Sequence, residues 1–191
     1  MNDQNLLTAL QTGSEQGYKE LVDTYQEKVL NICLGYFPVY QDAEDLTQEV
    51  FVKLFETIDN FRGEASLGTW VYRVTVNKCL EKLRYRKRSK RMAFFQSLIG
   101  LEEHASHVAS NFDHPGVTLE NKERTKILYQ HIERLAEKQR TAFILSRMEG
   151  LSYQEIAAVM QVSLSSVESL LFRAKQNLKK SLRFYYEKQL I

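Results

Sequence analysis

Between Leu151 and Lys180 (LSYQEIAAVMQVSLSSVESLLFRAKQNLKK) two apolar patterns of helical spacing meet at a break of three residues, Gln161-Val162-Ser163. Such a pattern folds into two short helices around a tight turn, the helix-turn-helix form. Ser152 followed by Glu155 makes a capping box, and Leu151 and Ile156 are spaced for the hydrophobic staple that closes over it. Ile156, Ala157 and Met160 give the first helix its inward face. Ser163 can cap the second helix, on which Leu164, Val167, Leu170, Leu171, Ala174 and Leu178 fall within an arc of about 120°. The opposite face carries Ser165, Ser169, Phe172, Arg173, Gln176 and Lys180: donors, cations and one aromatic that can reach base edges and phosphates in a major groove. Gln161 sits where such turns often hold Gly, and its Cβ makes a left-handed backbone costlier by about 1 kcal/mol. Amphipathic helix pairs also occur in domains that never touch DNA. The capped first helix and the cationic end formed by Arg173, Lys175, Lys179, Lys180 and Arg183 favour the DNA reading.

Only two prolines and eight glycines interrupt 191 residues, so long stretches are free to be helical, and 43% hydrophobic residues suffice for one medium core or two small ones. No apolar run approaches about 18 residues, and the polar N-terminus lacks the basic-then-apolar order of a leader, so the expectation is a soluble, cytoplasmic chain without membrane insertion. Cys33 and Cys79 lie singly in apolar helical patterns with no CxxC partner, which predicts core packing rather than a metal site or disulfide. The net charge of +2 says little, but its distribution is uneven.

Tyr18, Leu21, Val22, Tyr25, Val29, Ile32 and Cys33 recur at three- and four-residue intervals and predict a helix over 14–35. A second helix is expected from Asp42, as its cap, to Ile58, with Leu46, Val50, Phe51, Leu54 and Phe55 inward and Asp42, Glu44, Asp45 and Glu49 at its positive end. A loop over 60–66 precedes a long helix through Trp70, Val71, Val74, Leu80 and Leu83 into the cationic run 82–91. From Met92 to Gly116 the period is lost and a linker is expected. Helical pattern resumes at Val117 and continues through Leu135 and Lys138 to Met148, with Gly150 as a stop. The organisation predicted is all-α: a first domain over 1–91, a linker over 92–116 and a second domain over 117–191.

Cations that track a backbone beside aromatics that stack on bases suit single-stranded nucleic acid. Trp70, Tyr72, Arg73, Asn77 and Tyr85 precede or join the basic run on one helix, although a lone Trp is as often core as platform. Two DNA-facing regions on one tether imply bipartite recognition. The acidic residues Asp42, Glu44, Asp45 and Glu49 are expected to lie far from both regions, either as a solvated face or as a docking site for a basic protein partner.

Taken together these residues resemble the extracytoplasmic-function (ECF) group of sigma factors, the small two-domain members of the bacterial primary-sigma superfamily. The stretch Asp42-Ala43-Glu44-Asp45-Leu46-Thr47-Gln48-Glu49-Val50-Phe51 is similar to the family's motif for gripping the clamp helices of RNA polymerase. The resemblance implies Asp42, Asp45, Leu46, Gln48, Glu49 and Phe51 as polymerase contacts. Phe61-Arg62-Gly63, then Thr69-Trp70-Val71-Tyr72-Arg73-Val74 and Asn77, resemble the loop and helix that open the promoter −10 element and capture an unpaired base. Implied there are Asn60, Phe61, Arg62, Gly63, Trp70, Tyr72, Arg73 and Asn77, with Arg84, Arg86 and Lys87 on the backbone. Lys138-Gln139-Arg140, Phe143, Gly150 to Ala157, Val167-Glu168-Ser169 and Arg173-Ala174 resemble the −35-reading domain. Its implied readers on the helix-turn-helix over 152–180 are Ser165, Ser166, Ser169, Phe172, Arg173 and Gln176. Departures from the pattern are Glu81 for Asp, Ala136 for Pro and Gln161 for Gly.

The implied partners are core RNA polymerase, through its clamp helices and flap, promoter DNA, and an anti-sigma factor, often membrane-anchored. No covalent step, cofactor or metal is implied, and His104, His107 and His114 in the linker are weak as a metal set. Two other classes compete. A stand-alone regulator would usually dimerise on a palindrome, and no dimerisation segment is evident. A recombinase would need a nucleophile with arranged cationic partners, which the sequence does not offer.

Overall fold

In the computed structural model, which describes residues 3–63, 65–98 and 119–187, the described residues are helical apart from turns and caps. The order is α1 (Asp3–Gln11), α2 (Glu15–Tyr36), α3 (Tyr40–Thr57), a 3-10 turn (Ile58–Asn60), α4 (Leu67–Leu98), α5 (Leu119–Glu133), α6 (Glu137–Arg147), α7 (Tyr153–Met160) and α8 (Leu164–Glu187). The expected all-α class with two helical regions holds.

The first region is a bundle of α2, α3 and α4, with α1 laid along α2 and the 3-10 turn. Ser14 caps α2, its hydroxyl accepting from the Gly17 N–H. Leu21, Tyr25, Val29, Ile32 and Cys33 of α2 meet Ala43, Leu46, Val50, Phe51 and Leu54 of α3 and Val71, Val76 and Cys79 of α4 in one core. Each large aliphatic or aromatic side chain buried in this way contributes about 1.5–3 kcal/mol against exposure. Thr75 is fully buried, and its hydroxyl donates to the Val71 carbonyl at 2.8 Å, so it brings no unpaired polar group inside. Cys33 and Cys79 are free, buried core residues whose Sγ atoms lie 3.9 Å apart.

In the second region Ile132 and Leu135 pack on Ala174, Leu178 and Leu182, fastening α5 to α8. Ala142, Ile144, Leu145, Ile156, Val159, Val167 and Leu171 instead join the large core of the first region. This continuity arises because α6 lies on α2 and α7 lies on α4.

Several expectations need correction. Helix α1 was not foreseen; its inward set is essentially Leu6 and Leu10, too few positions to fix a period. The α3 N-cap is Val39, with no side-chain cap bond, so Asp42 acts through the dipole of the first turn and not as the cap. Helix α4 runs on through 92–98, where the linker was expected to begin, because Met92, Ala93, Phe94 and Phe95 include no breaker and the first Gly is Gly100. The remainder of that linker, with His104, His107 and His114, lies outside the described residues. The expected run from Val117 to Met148 is broken at 134–136, where the Arg134 and Leu135 N–H groups bond back to His131 and Ile132 and Ala136 turns extended. Leu128 and Leu164, expected inward, are exposed.

Candidate nucleic-acid and protein interfaces

The helix-turn-helix is locally over-determined. The Ser152 N–H donates to Glu155 Oε2 at 2.7 Å while the Glu155 N–H donates to Ser152 Oγ at 3.3 Å. Hydrogen bonds from the Ser152 side chain and backbone hold the Glu155 carboxyl below its usual value. Gln161 takes the left-handed backbone the turn requires, with φ 55° and ψ 48°. Ser163 Oγ accepts from the Ser166 N–H at 3.2 Å, and it lies 3.1 Å from Ser165 Oγ and 2.8 Å from Ser166 Oγ. Ser166 is therefore half-buried in this cap cluster. Ser165, Ser169, Phe172, Arg173 and Gln176 are all exposed along one flank of α8, and Phe172 keeps 65% of its surface open.

On α4, Trp70, Arg73 and Asn77 recur at the spacing of one helix face, and Arg84 continues it two turns on. Ser66 caps this helix, accepting from the Thr69 N–H at 3.1 Å. The half-buried Trp70 tilts against Phe61 with ring centroids 5.2 Å apart, which joins the loop to the helix, and Asn60, Arg62 and Gly63 stand exposed beside it. Gly63 holds φ +72°, a conformation that favours glycine. Tyr72 points elsewhere: it stands edge-on to Tyr25, and burial pushes its hydroxyl up to about 12. The Arg73 guanidinium donates to the Ala158 carbonyl of α7 at 2.9 Å. Asn77 and Lys87 are exposed; Arg84 reaches Glu137 of α6 at 3.3 Å. Arg86 pairs with Asp42 at 2.8 Å and lies over the Phe37 ring.

The acidic face of α3 is not remote from the basic helix, contrary to expectation. Glu49 receives Lys82 at 2.8 Å and Lys78 at 3.6 Å, and the Lys82 hydrogen bond leads in holding its carboxyl below the usual value. Side-chain lengths explain the misjudgement, since α3 and α4 are antiparallel neighbours in the bundle and lysine spans the gap. Asp45, Gln48 and Glu49 are exposed, Asp42 is half-buried, and Leu46 and Phe51 turn into the core. The last two therefore anchor the helix and offer no surface to a partner. Sequence reasoning missed Val52, Lys53, Glu56 and Lys78, which with Asp45, Gln48, Glu49 and Lys82 line an open groove of about 560 Å³. The available signal was Val52 at helical spacing from Gln48, Glu49 and Glu56, an apolar residue on a polar face, and it stands 54% exposed. Among the described residues no group of His, Cys, Asp and Glu could hold a metal ion, and no single helix is long and apolar enough to cross a membrane.

These surfaces coincide with two family models: Sigma-70 region 2 matches residues 21–89 and Sigma-70, region 4 matches residues 125–178. The chain is 32% identical over 189 residues to the RNA polymerase sigma-H factor of Pseudomonas aeruginosa, covering 95% of this chain and 94% of that one. It is 31% identical over 176 residues to the ECF RNA polymerase sigma-E factor of Escherichia coli K12, covering 92% of each. Among solved structures, its fold resembles that of CnrH in complex with the cytosolic domain of CnrY (TM-score 0.68, 19% identity, 95% of this chain and 97% of that one). It also resembles RpoE in complex with the anti-sigma factor NepR from Bartonella quintana (TM-score 0.62, 22% identity, 87% and 96%). The chain belongs to the ECF sigma factors of the sigma-70 family. It is accordingly a factor that directs RNA polymerase to promoters, and not an enzyme.

Proposed function

We propose a division of labour in which the first region grips core polymerase and the separated −10 strand while the second reads the −35 duplex. The observation that carries it is the arrangement of α4. One helix presents Trp70, Arg73 and Asn77 along one face beside the exposed loop residues Asn60, Arg62 and Gly63, and on another presents Lys78 and Lys82 to the α3 groove, whose lining mixes Asp45, Glu49 and Glu56 with these lysines and Lys53. A single rigid element thus links the polymerase-facing groove to the base-facing surface. Asp45, Gln48 and Glu49, joined by Val52, supply the acidic and apolar contacts for a basic helical partner on the polymerase clamp. Trp70 stacks an unpaired base against Phe61, and the cost of extracting that base, about a few kcal/mol, is offset by stacking and by cations from Arg62, Arg84 and Lys87. Ser165, Ser169, Phe172, Arg173 and Gln176 enter the −35 major groove, with Arg173 the main base-reading cation. Ser166 serves the cap of that helix more than the bases.

On this reading the domains are 1–91 and 117–191, joined by the segment 92–116, with the −35 contacts and the flap contact of polymerase in the second. The chain acts in the cytoplasm with no cofactor. An anti-sigma factor is the natural regulator, since the solved relatives CnrH and RpoE were captured in complex with CnrY and NepR. The test is affinity for core polymerase. Asp45→Arg, exposed and distant from the core, is expected to weaken binding at least tenfold, about 1.4 kcal/mol, with circular dichroism unchanged. Undiminished binding would remove the α3 groove from the polymerase contact.

A further inference from the structure

We infer that α1 is a strut for the −10 loop and that Gln11, its last residue, is a positioning residue for base capture. The inference rests on the reading of Phe61 and Trp70 as the pair that receives an unpaired base. Gln11 stands fifty positions before Phe61, yet its Nε2 donates to the Phe61 carbonyl at 3.3 Å. The Phe61 N–H in turn donates to the Ile58 carbonyl at 3.0 Å. Both backbone groups of Phe61 are thereby occupied, and its ring is set against Trp70. Gln11 holds the backbone of this residue as Trp70 holds its ring.

The end of α1 that carries Gln11 is itself firmly placed. Leu6 and Leu10 are buried in the core that also takes Ile58 of the 3-10 turn, so helix and turn share one footing. After Gln11 the chain reverses tightly into α2. The Gly13 N–H donates to the Leu10 carbonyl at 3.0 Å, the Ser14 N–H donates to the Ala9 carbonyl at 2.9 Å, and Gly13 takes φ +71°. Gly17 of α2 lies so near α1 that an added Cβ would stand 2.9 Å from Ala9 Cβ. Past Phe61 the surroundings thin out: Arg62 and Gly63 are exposed, and an added Cβ at Gly63 would meet nothing within 4 Å. Phe61 is thus where the loop is fastened to the body of the first region.

Fastening matters because a site ordered before its ligand arrives loses less affinity to the ordering of its own side chains. Without the Gln11 donor the Phe61 carbonyl can turn to solvent, and the ring can leave Trp70. One hydrogen bond at an exposed position is worth about threefold to fivefold in the population of the ordered loop. The strand should lose affinity by the same factor, with no group that touches it having been changed.

Gln11→Met tests this, because it removes the donor while keeping side-chain length and helix propensity at an exposed position. The probe is a fluorescent oligonucleotide of the unpaired −10 strand, taken from a promoter mapped by run-off transcription and bound to the chain assembled with core polymerase. The variant is expected to hold it about threefold to fivefold more weakly, with thermal unfolding, affinity for core polymerase and binding of the −35 duplex unchanged. In a Phe61→Ala background Gln11→Met should cost nothing further. Replacing the captured base by an abasic site should likewise make the wild-type chain and the Gln11→Met variant equal. Equal binding of the intact strand overturns the positioning role. So does a loss that adds to that of Phe61→Ala, which would put Gln11 on the strand itself, or one accompanied by weaker polymerase binding, which would make α1 a general support. A wild-type chain indifferent to an abasic site at every position contradicts base capture by Phe61 and Trp70, and the proposal falls with it.

Discussion

Glu149 shows how a single side chain is shaped by the arrangement of the whole. It follows α6 in the sequence, where a carboxylate would ordinarily be solvated. Here burial lifts its carboxyl to about 7, against smaller opposing effects from an Asn31 hydrogen bond and the Lys28 charge. Its Oε1 is buried without a partner. The groups facing it are Lys28 and Asn31 on α2 and Tyr72 on α4, whose hydroxyl also feels Glu155 of α7. Because the docked carboxyl holds its proton at pH values where a free one has lost it, docking takes up a proton. Its contribution to the packing of the two regions is complete below the ordinary value of 4.5 and is lost as the pH rises through about 7. Scattering is therefore expected to show a looser chain at about pH 8 than at about pH 6, and Glu149→Gln should remove most of that dependence. A dependence unchanged in the variant would assign it to another group. Nothing in the local sequence signals this behaviour, since Lys28 and Asn31 lie more than a hundred positions away and Tyr72 on yet another helix.

At the scale of elements, the helices that carry their own instructions are the ones that local sequence predicts. Helix α7 has its capping box in four consecutive residues, and Ser152→Ala is expected to cost about 1 kcal/mol of stability in urea unfolding. A change near zero would mean that α7 is held in place by its packing on α4 alone. The exposed polar flank of α8 was legible for the same reason, as a 3.6-residue period separates Val167, Leu171 and Ala174 from Ser165, Ser169 and Arg173. Boundaries set by neighbours were not legible. Val39 starts α3 with no side-chain cap, and the break after Glu133 shows only in hydrogen bonds back to His131 and Ile132. Likewise Glu49 and Asp42 reach Lys82 and Arg86 only because α3 and α4 lie side by side.

For the molecule as a whole, the sequence carried two helical regions, two proposed nucleic-acid surfaces and a proposed docking face, because each is written in periodicity and charge within one segment. What it could not carry is the contact between regions. Arg140 reads as one cation in a basic stretch, and Gly35 as an ordinary helix end, until α6 and α2 are brought together. The proposed polymerase contacts divide the same way, with Leu46 and Phe51 separated from Asp45 and Gln48 only by burial. The central claim is that these surfaces act together as a promoter-specificity subunit. Run-off transcription on a genomic promoter library, with core RNA polymerase in the presence and absence of this chain, tests it most directly. New start sites are expected that share two separated sequence motifs, one upstream and one at the point of strand separation. Duplex binding by the chain with no new start sites would contradict it and leave a stand-alone DNA-binding regulator in its place.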